Sequence, residues 1–168
     1  KHEAIPTAIR ATDVYQLYFN AYDLAQTEDT LFVTCIVSHL KAGSTDSDKG
    51  TRTAMVNSVM NYIMNNDMRH NYMFMGDFNT KSALETAYNN AIKDYSGTTY
   101  LYDPVDAAGN WYSNEVYRLL HTQSPRTVSN GCASNGGLDD RFDFILASEA
   151  LMNGTNGIQV LTDTYHAL

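Results

Sequence analysis

The run LFVTCIVSH, residues 31 to 39, restricts this chain more than any other stretch. In an extended strand Leu31, Val33, Cys35, Val37 and His39 share one face, and Phe32, Thr34, Ile36 and Ser38 share the other. Both sets are largely apolar, so the strand is expected in the middle of a sheet, buried on both sides. The run VYQLYFN at 14 to 20 is also rich in β-branched and aromatic residues and reads as a neighbouring strand, joined to the first by a short polar connection.

Helical periods appear only after this pair. The segment KAGSTDSDKGT reads as a loop, and then Met55, Val56, Val59, Met60, Ile63 and Met64 recur at three- and four-residue spacing. That spacing predicts an amphipathic helix over 53–66 that covers the sheet. The stretch NYMFMG predicts a short strand ending at Gly76, and Ser82 with Glu85 has the spacing of a capping box, opening a helix to about Lys93. The segment GTTYLYDPVDAAGNWYS carries Pro, Gly and aromatic residues without a period and reads as a long surface excursion. EVYRLLHTQS is expected to be a strand, and so is RFDFILAS beyond the loop SNGCASNGGLDD. With 168 residues and no repeat or linker, the expectation is one α/β domain.

Composition narrows the function. Lys and Arg number 11 against 19 Asp and Glu, a net charge of -8, so the surface as a whole repels nucleic acid and anionic membranes, though a local basic groove is compatible with it. No run of 18 apolar residues occurs, so no membrane span is expected. The start at Lys1 lacks a charged n-region and apolar h-region, and reads as a cut rather than a natural beginning. Abundant Tyr, Asn and Thr with few Lys lean toward an exported bacterial protein, secreted or periplasmic. Cys35 and Cys132 are too few for a disulfide framework, and the His and Cys positions have no zinc spacing.

Polar residues with chemical potential stand at the ends of the expected strands: His39, the pair Asp77 and Asn79 in GDFN, and Asp143 in RFDF. Strand ends along a common edge are where open α/β sheets place ligand groups. Taken singly, His39 has an ordinary reading as a hydrogen-bonded structural residue, and Asp77 as a turn or cap residue. The segment GSTDSDKGT fails as a P-loop, because Asp48 precedes Lys49 and Gly50 follows it. It fails as a calcium loop for want of a Glu at the twelfth position from Asp46. Asp139 and Asp140 read as solvated loop charges, and Trp111 and Tyr112 as aromatic anchors of their own loop rather than stacking platforms.

Taken together, SHLKAGS, MGDFNT and DDRFDFILAS in this order and at this spacing resemble the endonuclease/exonuclease/phosphatase superfamily, the deoxyribonuclease I-like phosphoesterases. GDFN is the strongest piece, the resemblance spans roughly residues 12 to 168, and HTQSPR and GGLDDRFDFIL look closest to uncharacterised exported bacterial members. The resemblance implies a four-layered α/β/β/α sandwich, of which this chain would be the C-terminal part. It also implies divalent-metal-dependent hydrolysis of a phosphoester with Mg2+ or Mn2+, or alternatively Ca2+.

Such chemistry needs a cation to neutralise phosphoryl oxygens, a group to orient or deprotonate water, and donors for developing charge. Asp77 would bind metal and position the water, and Asn79 would offer an amide oxygen to metal or an N–H to phosphate. By resemblance His39 would donate to a phosphoryl oxygen, and Asp143 would orient a histidine of an S-D-H motif. Arg141 could contact phosphate, with a structural salt bridge as the preferred reading. The family's metal-binding Glu, in a Q-E motif, would lie upstream of this chain and S-D-H beyond it. His166 has no Ser-Asp before it and reads as a bystander. The expected substrate is a nucleic acid or another phosphodiester. A phosphatase or phosphodiesterase acting on a small or lipid phosphoester is the enzymatic alternative, a non-catalytic binding module or inactive fragment the other, and no obligate protein partner is evident.

Overall fold

The computed structural model describes residues 1–27, 30–66, 71–92, 101–129, 131 and 135–164. Strands β1 (His2–Ile5), β2 (Thr12–Tyr18), β3 (Phe32–His39), β4 (Asn71–Asp77) and β5 (Asp143–Ala147) form one five-stranded sheet in the order β1-β2-β3-β4-β5. Only β3 and β4 run parallel; the other neighbours are antiparallel. A parallel pair needs a crossover. It is supplied by α2 (Asp46–Asn65), whereas α1 (Leu24–Thr27), α3 (Thr86–Ile92) and α4 (Glu149–Asn153) are short.

The expected period of α2 is present: Met55, Val56, Val59, Met60 and Ile63 are buried against a sheet face that carries Val14, Ile36, Phe74 and Leu146. Each such side chain contributes roughly 1.5–3 kcal/mol of burial. The helix begins at Asp46, seven residues before the expected start. Thr45 caps it by accepting from the Asp48 N–H, and the Asp48 carboxylate accepts from the Thr45 N–H in return. Lys41 pairs with the same carboxylate at 2.7 Å, and these bonds hold Asp48 down at about 2. The stretch expected to be a loop is therefore a loop only over 41–45, and from Asp46 on it is capped helix.

Three other expectations are corrected. Ser82 does not cap a helix: its Oγ accepts from the Leu84 N–H, while Glu85 accepts from the Lys81 N–H and from buried Arg52 at 2.6 Å, and α3 starts only at Thr86. Its expected end near Lys93 lies outside the described residues. The predicted strand EVYRLLHTQS begins as a 3-10 helix over Glu115–Leu120, capped by the Asn114 side chain. Val116 and Leu119 stand 84% and 77% exposed there, so their apolar character finds no sheet to join. Finally, β3 is not buried on both sides. Thr34, Ile36 and Ser38 are, whereas Phe32, Val37 and His39 are exposed.

The excursion around Trp111 is anchored, as expected. Trp111 is fully buried, meets Tyr88 and Phe144 edge-on, and donates its indole N–H to Ala107 O at 2.9 Å. Tyr102 closes the outer edge of β5 by pairing with Ala147. Among the described residues no helix is long and apolar enough to cross a membrane.

Candidate active site

Strand register decides which polar residues meet. His39 on β3 stands opposite Asp77 on β4, and Asp77 opposite Asp143 on β5. Directly paired residues project from the same face, so the three form one row across neighbouring strands. The row lies at the carboxyl end of the parallel pair, on the face that α2 leaves open. His39 Nε2 is 3.5 Å from Asp77 Oδ2, with side chains 54% and 34% exposed.

The chain before and after Asp77 is shaped to make this meeting. Gly76 has φ 124°, and a Cβ there would stand 2.0 Å from Ser38 O, so only glycine lets β4 approach β3 so closely just before the carboxylate. The Leu40 N–H then donates to Asp77 O at 2.8 Å, and the Phe78 N–H to Phe142 O at 2.7 Å, which fixes both flanking segments on β4. Asn79 adopts φ 52°, a left-handed conformation that asparagine tolerates. Its N–H donates to Asp77 Oδ1 at 2.9 Å, and its Nδ2 donates to Leu40 O at 3.2 Å. With the amide nitrogen so engaged, Oδ1 is the atom of Asn79 that could be offered to a cation. In the sequence Gly76 marks a strand end, and its position directly before an Asp is the signal of its role.

The electrostatics fit the same purpose. Burial pushes the Asp77 carboxyl above its usual range, opposed by His39 and the Asn79 N–H and reinforced by the neighbouring Asp143. Two carboxylates facing one another across a strand pair repel, so the row favours an added positive charge. Asp77 and Asn79 Oδ1 are hard oxygen donors, which suit Mg2+, Mn2+ or Ca2+. Magnesium in particular is held by one or two carboxylates and keeps several waters. Among the described residues no group of three or more His, Cys, Asp or Glu gathers to hold an ion.

The structure sorts the remaining candidates. Arg141 is 2% exposed and binds Asp103 through both terminal nitrogens, at 2.7 and 2.9 Å, with its guanidinium 4.3 Å from the Phe144 ring. The structural salt bridge is thus observed. That is the reading preferred for Arg141 from the sequence, and the fork is engaged by a buried carboxylate. Asp140 is not a solvated charge: it is fully buried, accepts from the Arg141 N–H through Oδ1, and has no partner for Oδ2 among the described residues. Burial is the main cause that raises it to about 6, with Lys81 and His121 opposing. Tyr112 is half exposed under the Lys81 ammonium, 3.9 Å from its ring centre. His166 and Cys132 lie outside the described residues.

One sheet, a helical layer on one face and a polar row at the carboxyl edge of the other make up a fold that is deoxyribonuclease I-like. A truncated TDP2 from Caenorhabditis elegans superposes with TM-score 0.50 at 20% identity, covering 88% of this chain and 51% of that one. The catalytic domain of human Nocturnin superposes with TM-score 0.50 at 13% identity, covering 90% and 48%. SmcL superposes with TM-score 0.52 at 13% identity, covering 83% and 43%. The chain therefore spans about half the length of the structures it matches. No family model matches the sequence, and no curated protein does either.

Proposed function

We propose that this chain carries part of the active site of a divalent-metal-dependent phosphodiesterase. The observation that supports the reading best is the His39–Asp77–Asp143 row, with Asn79 tied to Asp77 and Leu40 at its end. Asp77 orients the attacking water and takes its proton. His39, exposed beside it, donates to a phosphoryl oxygen as negative charge develops. Asp143 orients an imidazole supplied by a further segment. A cation held by Asp77 and Asn79 Oδ1 would neutralise phosphoryl charge and favour in-line attack. In the complete protein a further sheet would cover the open face and add the remaining metal ligand.

A nucleic acid is the first substrate to test. A small or lipid phosphodiester is the second, favoured by the net charge of -8, since DNA affinity needs several cations at the phosphates. The experiment is hydrolysis of DNA and of bis(p-nitrophenyl) phosphate by the full-length protein, with Mg2+ and with chelator. Turnover that requires the metal and disappears in Asp77→Ala supports the proposal. Steep loss of DNA turnover with salt identifies a nuclease, and salt-insensitive turnover of the small diester identifies the alternative. Metal-independent binding without turnover would replace the enzyme by a binding module.

A further inference from the structure

The segment HTQSPR, residues 121 to 126, carries none of the row's chemistry, yet it is bonded along its length to the stretch that leads into β5. The N–H groups of Thr122 and Gln123 donate to Asp140 O, and the Gln123 side-chain oxygen accepts from the Asp139 N–H. Ser124 O accepts from Gly137 and Leu138, and Arg126 O accepts from Gly136. The ring nitrogens of His121, 5% exposed, each lie 3.0 Å from a backbone carbonyl, Leu138 O and Trp111 O. At the end of this ribbon Thr122 Oγ1 accepts twice, from the Phe142 N–H at 3.1 Å and the Asp143 N–H at 2.9 Å.

The place of that double acceptance matters. Asp143 is the first residue of an edge strand, is exposed, and faces Asp77 directly. Repulsion between the paired carboxylates acts to open the ladder at this point, and strand ends are where local opening is easiest. One hydroxyl oxygen has lone pairs for two donors, so Thr122 holds both N–H groups at the start of β5. We propose that Thr122 is a positioning residue, and 121–126 a strap, that holds Asp143 in the row against Asp77. This deepens the function proposed above, because it assumes that Asp143 serves the reaction.

The test compares Thr122→Val, which keeps the shape and removes the acceptor, with Thr122→Ser, which keeps the acceptor, in the full-length protein. Exchange of the Phe142 and Asp143 amides and the kinetics on bis(p-nitrophenyl) phosphate are read in each, with Asp77→Ala alongside. In Thr122→Val those amides should exchange at least about 10-fold faster. Its kcat should fall about 10- to 100-fold with KM unchanged, the size of effect of a misplaced supporting group. Thr122→Ser should restore both. Amide protection unchanged in Thr122→Val overturns the proposal, and so does Thr122→Ser failing as Thr122→Val does, because the retained hydroxyl would then not be what holds the two amides. If Asp77→Ala keeps its turnover, the phosphodiesterase reading fails by itself, and the strap then stands or falls on amide exchange alone.

Discussion

The two faces of the sheet are made from alternate residues of the same strands, yet only one of them is a core. On the α2 side Ile36, Phe74 and Leu146 are fully buried. On the other side Tyr15, Leu17, Val37 and Ile145 are 37 to 51% exposed, and the row of His39, Asp77 and Asp143 ends that face. Apolar residues on both faces mark a strand as capable of double burial, but burial requires a covering layer, and these 168 residues build that layer once. The polar row accordingly stands on the face left open.

The largest way to break this comparison is to empty the covered face. Phe74→Ala should lower unfolding stability by about 3–5 kcal/mol, measured by urea denaturation, because a fully packed ring leaves a cavity. A loss below about 1 kcal/mol would mean that the α2 side is no better packed than the open side.

Asp140 sharpens the contrast, since it is a buried charge in the packed region. Its folded pKa is raised from 3.8 to about 6, so the native state holds the proton more tightly than the unfolded chain does. That contribution to stability is complete below pH 4 and is lost as pH rises through 6. At pH 7 Asp140→Asn should therefore be more stable than the parent by up to about 3 kcal/mol, with the difference vanishing near pH 4. Thermal melts across that range read it, and a difference that grows toward acid would reverse the assignment.

Gly76 joins the two faces. Gly76→Ala should cost about 1–3 kcal/mol through the strained backbone and the contact with Ser38 O, and should reduce metal-dependent turnover by displacing Asp77. Full activity with unchanged stability would show that β3 and β4 can separate freely at this point. The smallest effect is expected on the open face: Leu17→Ser in this chain should change stability by no more than about 0.5 kcal/mol. The same substitution in the full-length protein tests whether that face is covered there, in which case the cost should rise by about 1–2 kcal/mol.

Where an element is long and its pattern local, the sequence showed it plainly. The apolar run of β3, the helical period of α2 and the strand RFDFIL are all present, and GDFN lies at a strand end as expected. The misses are of two kinds: partners distant in sequence decide EVYRLL and Asp140, whereas the start of α2 rests on a local cap. EVYRLL has strand-forming residues but no neighbouring edge. Thr45 and Asp48 form a capping box that charged, Gly-rich surroundings disguised as loop, and Asp140 sits in a region that reads as solvated.

By itself, then, the sequence determined an α/β chain, the covering helix, and the identities of His39, Asp77, Asn79 and Asp143. Residue types and local periods are enough for that. The tertiary structure alone decided that register aligns three of them in one row and that Arg141 belongs to Asp103. It also decided that Thr122 reaches the start of β5, and that one sheet face stays open. Each of these depends on segments from about 20 to about 100 residues apart in the chain coming together, and pairings at that range are set by packing and strand register rather than by any local preference.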